Sequence, residues 1–522
     1  MNLFNRNLLI NNLKETAEWD VLIIGGGATG LGIAVDASSR GFKTLLVEQN
    51  DFAKGTSSRS TKLVHGGVRY LAQGNIRLVT EALKERGFLL KNAPHLTKNE
   101  SFIIPCYQWL TGIYYAAGLK IYDWLSGRKS IGKSRMISKT EVEQRLPTIQ
   151  KTSLRCGVLY HDGVFDDARL ALNLAQTAIE RGAVALNYFK LISLIKTEDE
   201  KNCGARIRNQ ETNEAFDIKA KVVINATGVF SDEILKLDQP LSKPLIRPSQ
   251  GIHLVLDKSF LQSDDAIMIP KTEDGRVLFA IPWHNSVLVG TTDTPLERPS
   301  IEPKPLEQEI EFVLKTSGKF LSKIPDRSDV LSAFAGLRPL ASNGNTSTKT
   351  KEISRSHKVI ISESGLVSVI GGKWTTYRKM AEDAMNKIMR SGIIPLKNGS
   401  TENLRIHGYS LEEDKENRLS LYGSDKIQIQ KLQMENEYYA QTLNNETSIT
   451  VAQVIWAVRN ELARTVEDVL ARRIRVLFTN SKLAVELAPK VAAIMMKELN
   501  QNEQWKNIQV ESFVKLAKNY WL

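Results

Sequence analysis

A histidine, an arginine and a tyrosine stand close together around two adjacent glycines: His65, Gly66, Gly67, Arg69 and Tyr70. An imidazole can accept a proton near neutral pH, and a guanidinium can hold an oxyanion through two parallel hydrogen bonds. Adjacent glycines let the backbone approach a flat group closely. The segment therefore indicates a site that binds an anion and moves a proton. A simpler interpretation stays open, in which the histidine caps a turn and the arginine forms a surface ion pair.

Two further cations occupy unusual settings. Arg338 lies in the apolar run 334–340, and a buried guanidinium needs an anion from the protein or from a ligand. Lys373 follows Gly371 and Gly372 at the end of a strand-like pattern, just before a helix start near Thr375. Its charge can face a substrate anion or the edge of a flavin, and the helix N-terminus adds hydrogen-bond donors.

The element that must position these groups is an apolar strand, residues 20–24, followed by a glycine-rich turn. The first glycine of a G-x-G-x-x-G turn allows a tight bend, the second lets a pyrophosphate approach, and the third lets the next helix pack closely. A second strand ends about twenty residues later at Glu48, whose carboxylate can accept from ribose hydroxyls. The pattern predicts a dinucleotide site at Gly25, Gly26, Gly27, Ala28, Thr29 and Gly30.

Two other segments are predicted to line the same site. A loop rich in hydroxyls follows Glu48, and its backbone amides and cation suit a pyrophosphate. A buried-strand pattern at residues 221–226 ends in small residues that would face the cofactor, although any β-to-α turn could look similar. The residues concerned are Thr56, Ser57, Ser58 and Lys62 in the loop, and Thr227 and Gly228 at the strand end.

The composition excludes several classes of protein. The chain has 522 residues, of which 42% are hydrophobic and 25% charged, as in soluble globular proteins of two or three domains. Its three cysteines, Cys106, Cys156 and Cys203, are far apart and form no C-x-x-C pair. This pattern argues against disulfides, zinc and iron–sulfur clusters, so no metal site is predicted. It predicts buried, reduced thiols in a cytoplasmic protein.

The net charge of +12 suits an anionic partner. No run of Lys and Arg is long enough for a nucleic-acid-binding arm, so nucleic acid is not expected. Residues 1–19 lack the apolar core of a signal peptide, and no stretch reaches the roughly twenty apolar residues that span a bilayer. Residues 102–125 are rich in aromatic side chains and are followed by basic ones, which suits either a membrane interface or an ordinary core helix.

Patterns in the second half of the chain predict two further units. Short strand-like runs between residues 240 and 354 indicate an antiparallel sheet that forms a substrate domain. Beyond residue 400 the sequence becomes polar and helical, with helices predicted at 456–475, 483–499 and 510–522. The chain is therefore predicted to end in a separate helical bundle.

The ordered set of short runs closely resembles the flavin-dependent glycerol-3-phosphate dehydrogenases, which belong with the flavoproteins typified by D-amino-acid oxidase. The resemblance covers nearly the whole chain, including the C-terminal segment 457–473. The G-x-G-x-x-G run is common to many families, whereas H-G-G-x-R-Y and G-G-K-x-T-T-Y-R are specific. The runs are G-G-G-A-T-G, T-S-S-R-S-T-K-L-V-H-G-G-V-R-Y-L, D-D-A-R-L, N-A-T-G, G-T-T-D, G-L-R-P-L and G-G-K-W-T-T-Y-R.

The resemblance implies an α/β fold: a Rossmann-like FAD-binding domain, an interleaved substrate domain with a mixed or antiparallel sheet, and a C-terminal all-α domain. The FAD-dependent oxidoreductase region would span 1–399 and the helical domain 400–522. Within the first region, the FAD-binding parts are expected at about 18–100, 150–239 and 355–399, and the substrate parts at about 101–149 and 240–354.

The resemblance also implies noncovalent FAD and oxidation of sn-glycerol 3-phosphate to dihydroxyacetone phosphate by hydride transfer from C2 to the flavin N5. Electrons would pass to a membrane quinone. The protein would lie in the cytoplasm against the anionic inner face of the cell membrane. Whether the protein forms a homodimer stays open.

Each predicted site residue matches a position of these runs or of the strands around them. The residues expected to bind FAD are Gly25, Gly26, Gly27, Ala28, Thr29, Gly30, Glu48, Thr56, Ser57, Ser58, Lys62, His65, Gly66, Gly67, Thr227, Gly228, Gly371, Gly372, Lys373 and Thr375. The substrate is expected at Arg69, Tyr70, Arg338 and Lys373, and the predicted catalytic residues are His65, His253 and Arg338. Which histidine is the base, or whether another group serves as the base, stays open.

Three alternatives remain at this level. An oxygen-using glycerol-3-phosphate oxidase shares these runs but usually carries an extra insertion, so the length of this chain favours the quinone-linked enzyme. An amino-acid oxidase of the same fold would use Arg338 to hold a carboxylate. A flavin-containing nucleic-acid-binding protein would use the positive net charge. The anaerobic relatives add a cysteine-rich C-terminal region, which this chain lacks.

Overall fold

The computed structural model describes residues 2–68, 71, 74–272, 275–341, 356–412 and 418–522. The strands are β1 (Trp19–Ile24), β2 (Thr44–Glu48), β3 (Leu63–Val64), β4 (Thr97–Cys106), β5 (Arg135–Ser138), β6 (Cys156–Phe165), β7 (Val184–Asn187), β8 (Phe189–Lys196), β9 (Asn202–Asn209), β10 (Ala215–Asn225), β11 (Ile246–Asp257), β12 (Ala266–Ile269), β13 (Leu278–Trp283), β14 (Ser286–Gly290), β15 (Thr294–Pro295), β16 (Val330–Ala341), β17 (His357–Ile361) and β18 (Val367–Gly371).

The helices connect these strands and then continue alone after residue 400. They are α1 (Arg6–Glu15), α2 (Ala28–Ser39), α3 (Ile76–Asn92), α4 (Trp109–Ser126), α5 (Lys139–Arg145), α6 (Asp167–Glu180), α7 (Ser231–Asp238), α8 (Glu307–Gly318), α9 (Tyr377–Arg390), α10 (Lys426–Glu435), α11 (Glu437–Ala440), α12 (Val451–Asn460), α13 (Val476–Thr479), α14 (Ser481–Glu498) and α15 (Glu503–Ala517).

The first sheet is built around β1, in the order β17-β18-β10-β1-β2-β7. The pairs β18–β10, β10–β1, β1–β2 and β2–β7 are parallel, and β17 adds an antiparallel edge. Residues 21–24 of β1 are all buried, as expected for a parallel strand that is covered on both faces. Helix α2 packs on this sheet beside helices α6 and α9, which also contact strands of the sheet. The predicted Rossmann-like domain is confirmed.

The second sheet has the order β15-β11-β14-β13-β12-β4-β6-β3, with β16 paired to β11 and β5 paired to β6. Its strands pair in antiparallel fashion except β12 and β4, which are parallel. This mixed sheet agrees with the predicted fold class. It takes β3 and β6 from segments that the sequence assigns to the FAD-binding part, so the two sheets alternate more often along the chain than those ranges imply.

The C-terminal helices pack on one another and on the second sheet, through side chains such as Trp283 and Phe334. One predicted helix is wrong. The segment 456–475 is not continuous, because α12 ends at Asn460 and Leu462 adopts a φ of 56°. Asp468 then accepts hydrogen bonds from the backbone N–H groups of Arg464 and Thr465, at 2.7 and 2.9 Å, and begins a short π-helix, Asp468–Arg473. Helical periodicity alone carries no information about such a break.

A histidine connects the start of the C-terminal region to the first domain. His407 Nδ1 lies 2.7 Å from Glu180 Oε1 at the end of α6, and its Nε2 lies 2.9 Å from Asp425 Oδ2 just before α10. Burial disfavours the imidazolium, but the two carboxylates outweigh burial and raise the pKa of His407 to about 9. The charged histidine therefore stabilises this junction.

We predict that this stabilisation depends on pH. It should be complete below the unfolded-state pKa of about 6.5 and be lost as the pH rises through 9, with an upper limit of about 3 kcal/mol. His407→Gln should thus lower the melting temperature strongly at pH 6 and little at pH 10. The control is His357→Gln, which removes a histidine with one carboxylate partner, Asp383 at 2.9 Å. An equal loss at both pH values in His407→Gln would contradict the assignment.

Candidate active site

The turn after β1 has the geometry that its glycines predict. Gly25 has a φ of +112°, a backbone conformation that residues other than glycine rarely adopt. A Cβ at Gly30 would lie 1.9 Å from the carbonyl oxygen of Gly25, so only glycine lets α2 come this close to the strand end. The N-cap residue of α2, Gly27, has no side chain to cap the helix, and in the first turn the Ala28 N–H donates to Ser57 Oγ at 2.9 Å. The positive end of the helix dipole therefore faces the adjoining space.

Glu48 supports the same turn. Its Oε2 accepts from the Gly26 N–H at 2.7 Å and its Oε1 from the Asn50 N–H at 2.8 Å. Burial raises the pKa of this carboxyl group, against the effect of the two N–H donors. Glu48 also lines the cavity described next. Its carboxylate already accepts two backbone N–H groups, and its binding of ribose hydroxyls stays a prediction.

A cavity of about 450 Å³ opens at the ends of β1, β2, β10 and β18. This volume is within the range of sites for organic cofactors, roughly 300–1,000 Å³. Uncapped helix donors at one wall suit a diphosphate, so the site fits a dinucleotide. The predicted residues that line it are Gly25, Gly27, Ala28, Thr29, Glu48, Thr56, Ser57, Thr227, Gly228, Gly371, Gly372 and Lys373.

The other predicted cofactor residues lie around this cavity rather than on its wall. A Cβ at Gly26 would meet Glu48 and Phe52, and Ser58 is buried. The Gly66 N–H donates to the Tyr122 hydroxyl at 2.7 Å, and Thr375 Oγ1 accepts from the His65 N–H at 3.3 Å.

A smaller cavity of about 150 Å³ lies in the second sheet beside the large one. Its lining combines apolar and aromatic side chains with His65, Arg276, Arg338 and the two carboxylate residues Asp162 and Asp293. Arg338 and Pro339 are consecutive residues of β16, and the first lines the small cavity while the second lines the large one. The two spaces therefore share a wall. The apolar residues of the small cavity are Leu63, Val68, Phe102, Tyr160, Met268, Val277 and Phe279.

Arg338 is held firmly at this shared wall. Its Nη2 donates to the Thr292 carbonyl at 2.9 Å and to Thr291 Oγ1 at 3.1 Å, and Asp293 lies 3.6 Å from Nη1. The anion that the sequence requires for a buried guanidinium is thus partly supplied by the protein. A guanidinium fixed in this way is oriented before any ligand arrives.

Two predicted residues lie behind the cavity walls. His253 lines neither cavity: it is buried, stacks on Phe334, and directs Nε2 to Thr61 Oγ1 at 3.0 Å. Burial, followed by the charges of Lys62 and Arg338, holds the pKa of His253 well below its usual value. The imidazole is therefore neutral, and Thr61 is the group that faces the small cavity.

Lys62 is also directed away from the space that a cofactor would fill. Its Nζ lies 2.6 Å from Asp167 Oδ2 and donates to the Ser58 carbonyl at 2.8 Å. Burial lowers the pKa of Lys62 to about 8, with Asp167 acting in the opposite direction. Arg69 and Tyr70 lie outside the described residues, although Val68 next to them lines the small cavity.

Sequence reasoning missed three residues of these cavities. Thr61 belongs to the hydroxyl-rich loop but was not singled out from its neighbours. Arg276 lies two residues before β13, where a basic residue is unremarkable in the sequence alone. Lys54 lines the large cavity and is bonded to Glu467 in the C-terminal domain, at 2.6 Å, a contact 413 residues away in sequence.

The fold and the two adjoining cavities define a nucleotide-dependent oxidoreductase. A family model for FAD-dependent oxidoreductases matches residues 20–378. A model for the C-terminal domain of alpha-glycerophosphate oxidase matches residues 366–506.

Named relatives make the assignment narrower. The mitochondrial glycerol-3-phosphate dehydrogenase of Bos taurus is 39% identical over 542 residues, which cover 97% of this chain and 74% of the bovine protein. That of Schizosaccharomyces pombe is 36% identical and covers 99% of this chain and 89% of its own length. A crystal structure of the glycerol-3-phosphate dehydrogenase from Bacillus halodurans, complexed with FAD, has a TM-score of 0.81 at 30% identity, covering 99% of this chain and 98% of that one.

The chain therefore belongs to the FAD-dependent oxidoreductase family and, within it, to the family of glycerol-3-phosphate dehydrogenases.

Proposed function

We propose that the protein oxidises sn-glycerol 3-phosphate to dihydroxyacetone phosphate and passes the electrons to a membrane quinone. The observation that carries this proposal is the small cavity with two guanidinium groups and a histidine, beside a cavity that suits FAD. When bound, FAD would supply the acceptor for the two electrons of this oxidation.

The charge and the size of the small cavity favour a short phosphate ester. A phosphate dianion is bound well by several fixed cations, and Arg276 and Arg338 both line a space of about 150 Å³. Lys373 lines the adjoining cavity, from which it can add charge at the flavin edge. Arg69 and Tyr70 remain predicted substrate ligands. Two carboxylates also line this cavity, Asp162, which pairs with Arg86, and Asp293, which lies 3.6 Å from Arg338. The choice of the phosphate ester over an amino acid is therefore supported by the relatives that are named as glycerol-3-phosphate dehydrogenases.

Of the two candidate bases, His65 is better placed. It lines the small cavity, whereas His253 reaches that cavity only through the Thr61 hydroxyl. In the proposed reaction His65 accepts the C2 hydroxyl proton while the C2–H bond electrons leave as hydride, and a C=O bond forms. His253 would act as a positioning residue that orients Thr61 toward the substrate.

The exposed face of α4 supports contact with a membrane. Leu110 and Trp124 are 80% and 78% exposed, and on the opposite face the Tyr122 hydroxyl accepts from Gly66 N–H next to the small cavity. Aromatic and aliphatic side chains on an outer helix face suit the headgroup region of a bilayer, and basic residues nearby suit anionic lipids. No helix in the described part of the chain combines the length and the apolarity needed to cross a bilayer. The other exposed side chains of this face are Trp109, Ile113, Tyr114 and Ile121.

This helix also supports the proposed electron acceptor and location. It joins the outer surface to the wall of the substrate cavity, so a quinone dissolved in the bilayer would approach the flavin on this side. We propose that the protein works at the inner face of the cell membrane. The related bovine and yeast enzymes are named as mitochondrial.

We predict that anaerobic glycerol 3-phosphate bleaches the absorption spectrum of the bound flavin, and that amino acids do not. Arg338→Met should raise KM for glycerol 3-phosphate about 10- to 100-fold, because one charged hydrogen-bonding group to the phosphate is lost. Turnover should be faster with a quinone analogue than with oxygen. Rapid peroxide formation with poor quinone reduction would assign the oxidase instead.

We predict that substitutions of the two histidines lower the rate of flavin reduction to different extents. His65→Asn should lower this rate about 10²- to 10⁴-fold, as expected for a lost general base. His253→Asn should lower it less, and both variants should retain bound FAD, which the flavin-to-protein absorbance ratio measures. A larger effect in His253→Asn than in His65→Asn would reverse the assignment.

We predict that the double variant Leu110→Gln/Trp124→Gln binds anionic vesicles at least about tenfold more weakly, because it loses the apolar area that enters the interface. Turnover with a water-soluble dye should be unchanged. The matched control is Leu241→Gln, which alters a leucine that is 97% exposed elsewhere on the surface. Equal vesicle binding by the double variant and the control would exclude α4 as the contact surface.

A further inference from the structure

We propose that the C-terminal helical domain is part of the cofactor site, because its π-helix Asp468–Arg473 holds the cofactor-binding loop in position. The cofactor loop is defined here as residues 49–59, between β2 and β3. Asp51, Arg472 and Arg473 are the positioning residues. The proposal concerns how the FAD site is formed, and it does not depend on the identity of the substrate.

The first contact between the loop and the C-terminal domain is at Asp51, which lies near the start of the loop and is fully buried. Arg472 Nε donates to Asp51 Oδ2 at 2.5 Å, and Arg473 holds both carboxylate oxygens, one of them at 3.0 Å. Asn187 Nδ2 adds a bond of 2.9 Å to Oδ1. Burial disfavours the charge of Asp51, but the two arginines outweigh it and lower its pKa to about 2. The carboxylate is therefore charged, and its charged partners are the two arginines of the C-terminal domain.

A second contact reaches the wall of the FAD cavity itself. Lys54 lines this cavity, and its Nζ is held by Glu467 at 2.6 Å and by Glu302 at 3.1 Å. Arg472 Nη1 donates to Glu467 Oε1 at 2.6 Å, so one arginine fixes Asp51 and the partner of Lys54. Movement of the π-helix would therefore displace both ends of this stretch of the loop.

A third contact lies where the loop approaches the pyrophosphate side. Arg475 Nη2 lies 2.8 Å from Asp167 Oδ1 and 3.4 Å from the Ser58 carbonyl, which also accepts from Lys62. The neighbouring Ser57 lines the FAD cavity and accepts from the first turn of α2. The C-terminal domain is thus connected to the loop at residues 51, 54 and 58, on either side of the groups that line the cavity.

Buried charge pairs make such contacts specific. Removing one partner leaves an uncompensated charge in a buried site, so the loop and the π-helix would move apart to hydrate that charge. Contacts outside the C-terminal domain also hold the loop, among them Ala53 N–H to Gly26 O, Thr56 Oγ1 to Leu337 O and Trp374 Nε1 to Ser57 O. We therefore expect a local shift, which starts at Asp51 and Lys54, loop residues whose side chains form ion pairs with the C-terminal domain.

The chain contains a matched control for simple cohesion between the domains. Arg169 and Glu461 form an ion pair at 2.7 Å that is as fully buried as the Asp51 cluster. This pair joins α6 to the C-terminal domain but contacts no residue of the cofactor loop. Asp51→Asn and Glu461→Gln are equivalent carboxylate-to-amide changes, and each removes one negative charge from a buried contact with arginine. Glu461→Gln keeps the backbone carbonyl that accepts from Arg473.

The experiment compares full-length Asp51→Asn and Glu461→Gln by melting temperature, by titration of the apoprotein with FAD, and by amide hydrogen exchange. We expect both variants to lose melting temperature. Only Asp51→Asn should raise the FAD dissociation constant at least about tenfold and speed exchange in residues 49–59. Equal FAD affinity in the two variants, or unchanged exchange of the loop in Asp51→Asn, would overturn the proposal and leave only domain cohesion.

A milder variant covers the case in which Asp51→Asn does not fold. Glu467→Gln weakens the contacts to Lys54 and Arg472 without removing a group of the loop, and the Glu467 side chain is 18% exposed. It should raise the FAD dissociation constant about threefold and speed exchange in the same segment. Wild-type FAD affinity with wild-type exchange in Glu467→Gln would equally overturn the proposal.

Discussion

The structure depends on one close approach, that of α2 to the end of β1. Gly30 lies against the Gly25 carbonyl with no space for a Cβ, and the helix therefore reaches the edge of the sheet where β10 and β18 also end. Its uncapped N–H groups face a cavity of about 450 Å³. Every other part of the site is arranged around this positive helix end: the hydroxyl-rich loop from one side, the 371–373 turn from another, and the second sheet beyond.

The positive charge of the chain is divided between ligand cavities and internal contacts. Arg276 and Arg338 line the small cavity, whereas Lys62 and Arg473 form ion pairs with buried carboxylates of the protein itself. A buried cation is tolerated only where its partner is fixed, so these internal pairs hold segments that are far apart in sequence. The net charge of +12 counts only the excess of cations over carboxylates, so it does not show which cations face a ligand.

A feature could be predicted from the sequence when the residues that determine it are close together along the chain. The βα turn, its glycines and the parallel strand were predictable because local periodicity and backbone conformation decide them. The break after α12 could not be predicted. It depends on the positive φ of Leu462 and on the hydrogen bond that Asp468 accepts from the Thr465 N–H, and helical periodicity contains neither. Lys62 and His253 illustrate the same limit: a residue next to a glycine-rich run can face the ligand or the interior, and only packing against Asp167 or Thr61 distinguishes them.

The sequence by itself determined the fold class, the dinucleotide turn and the family, because these rest on local patterns and on runs of residues that few families share. Tertiary structure alone decided which cations face a cavity, which histidine reaches the small one, and that the C-terminal domain touches the cofactor loop. The reason is physical. Whether a charged side chain binds a ligand or a buried partner depends on which oppositely charged group lies within about 3 Å, and that neighbour can stand more than 400 residues away, as Arg472 does from Asp51.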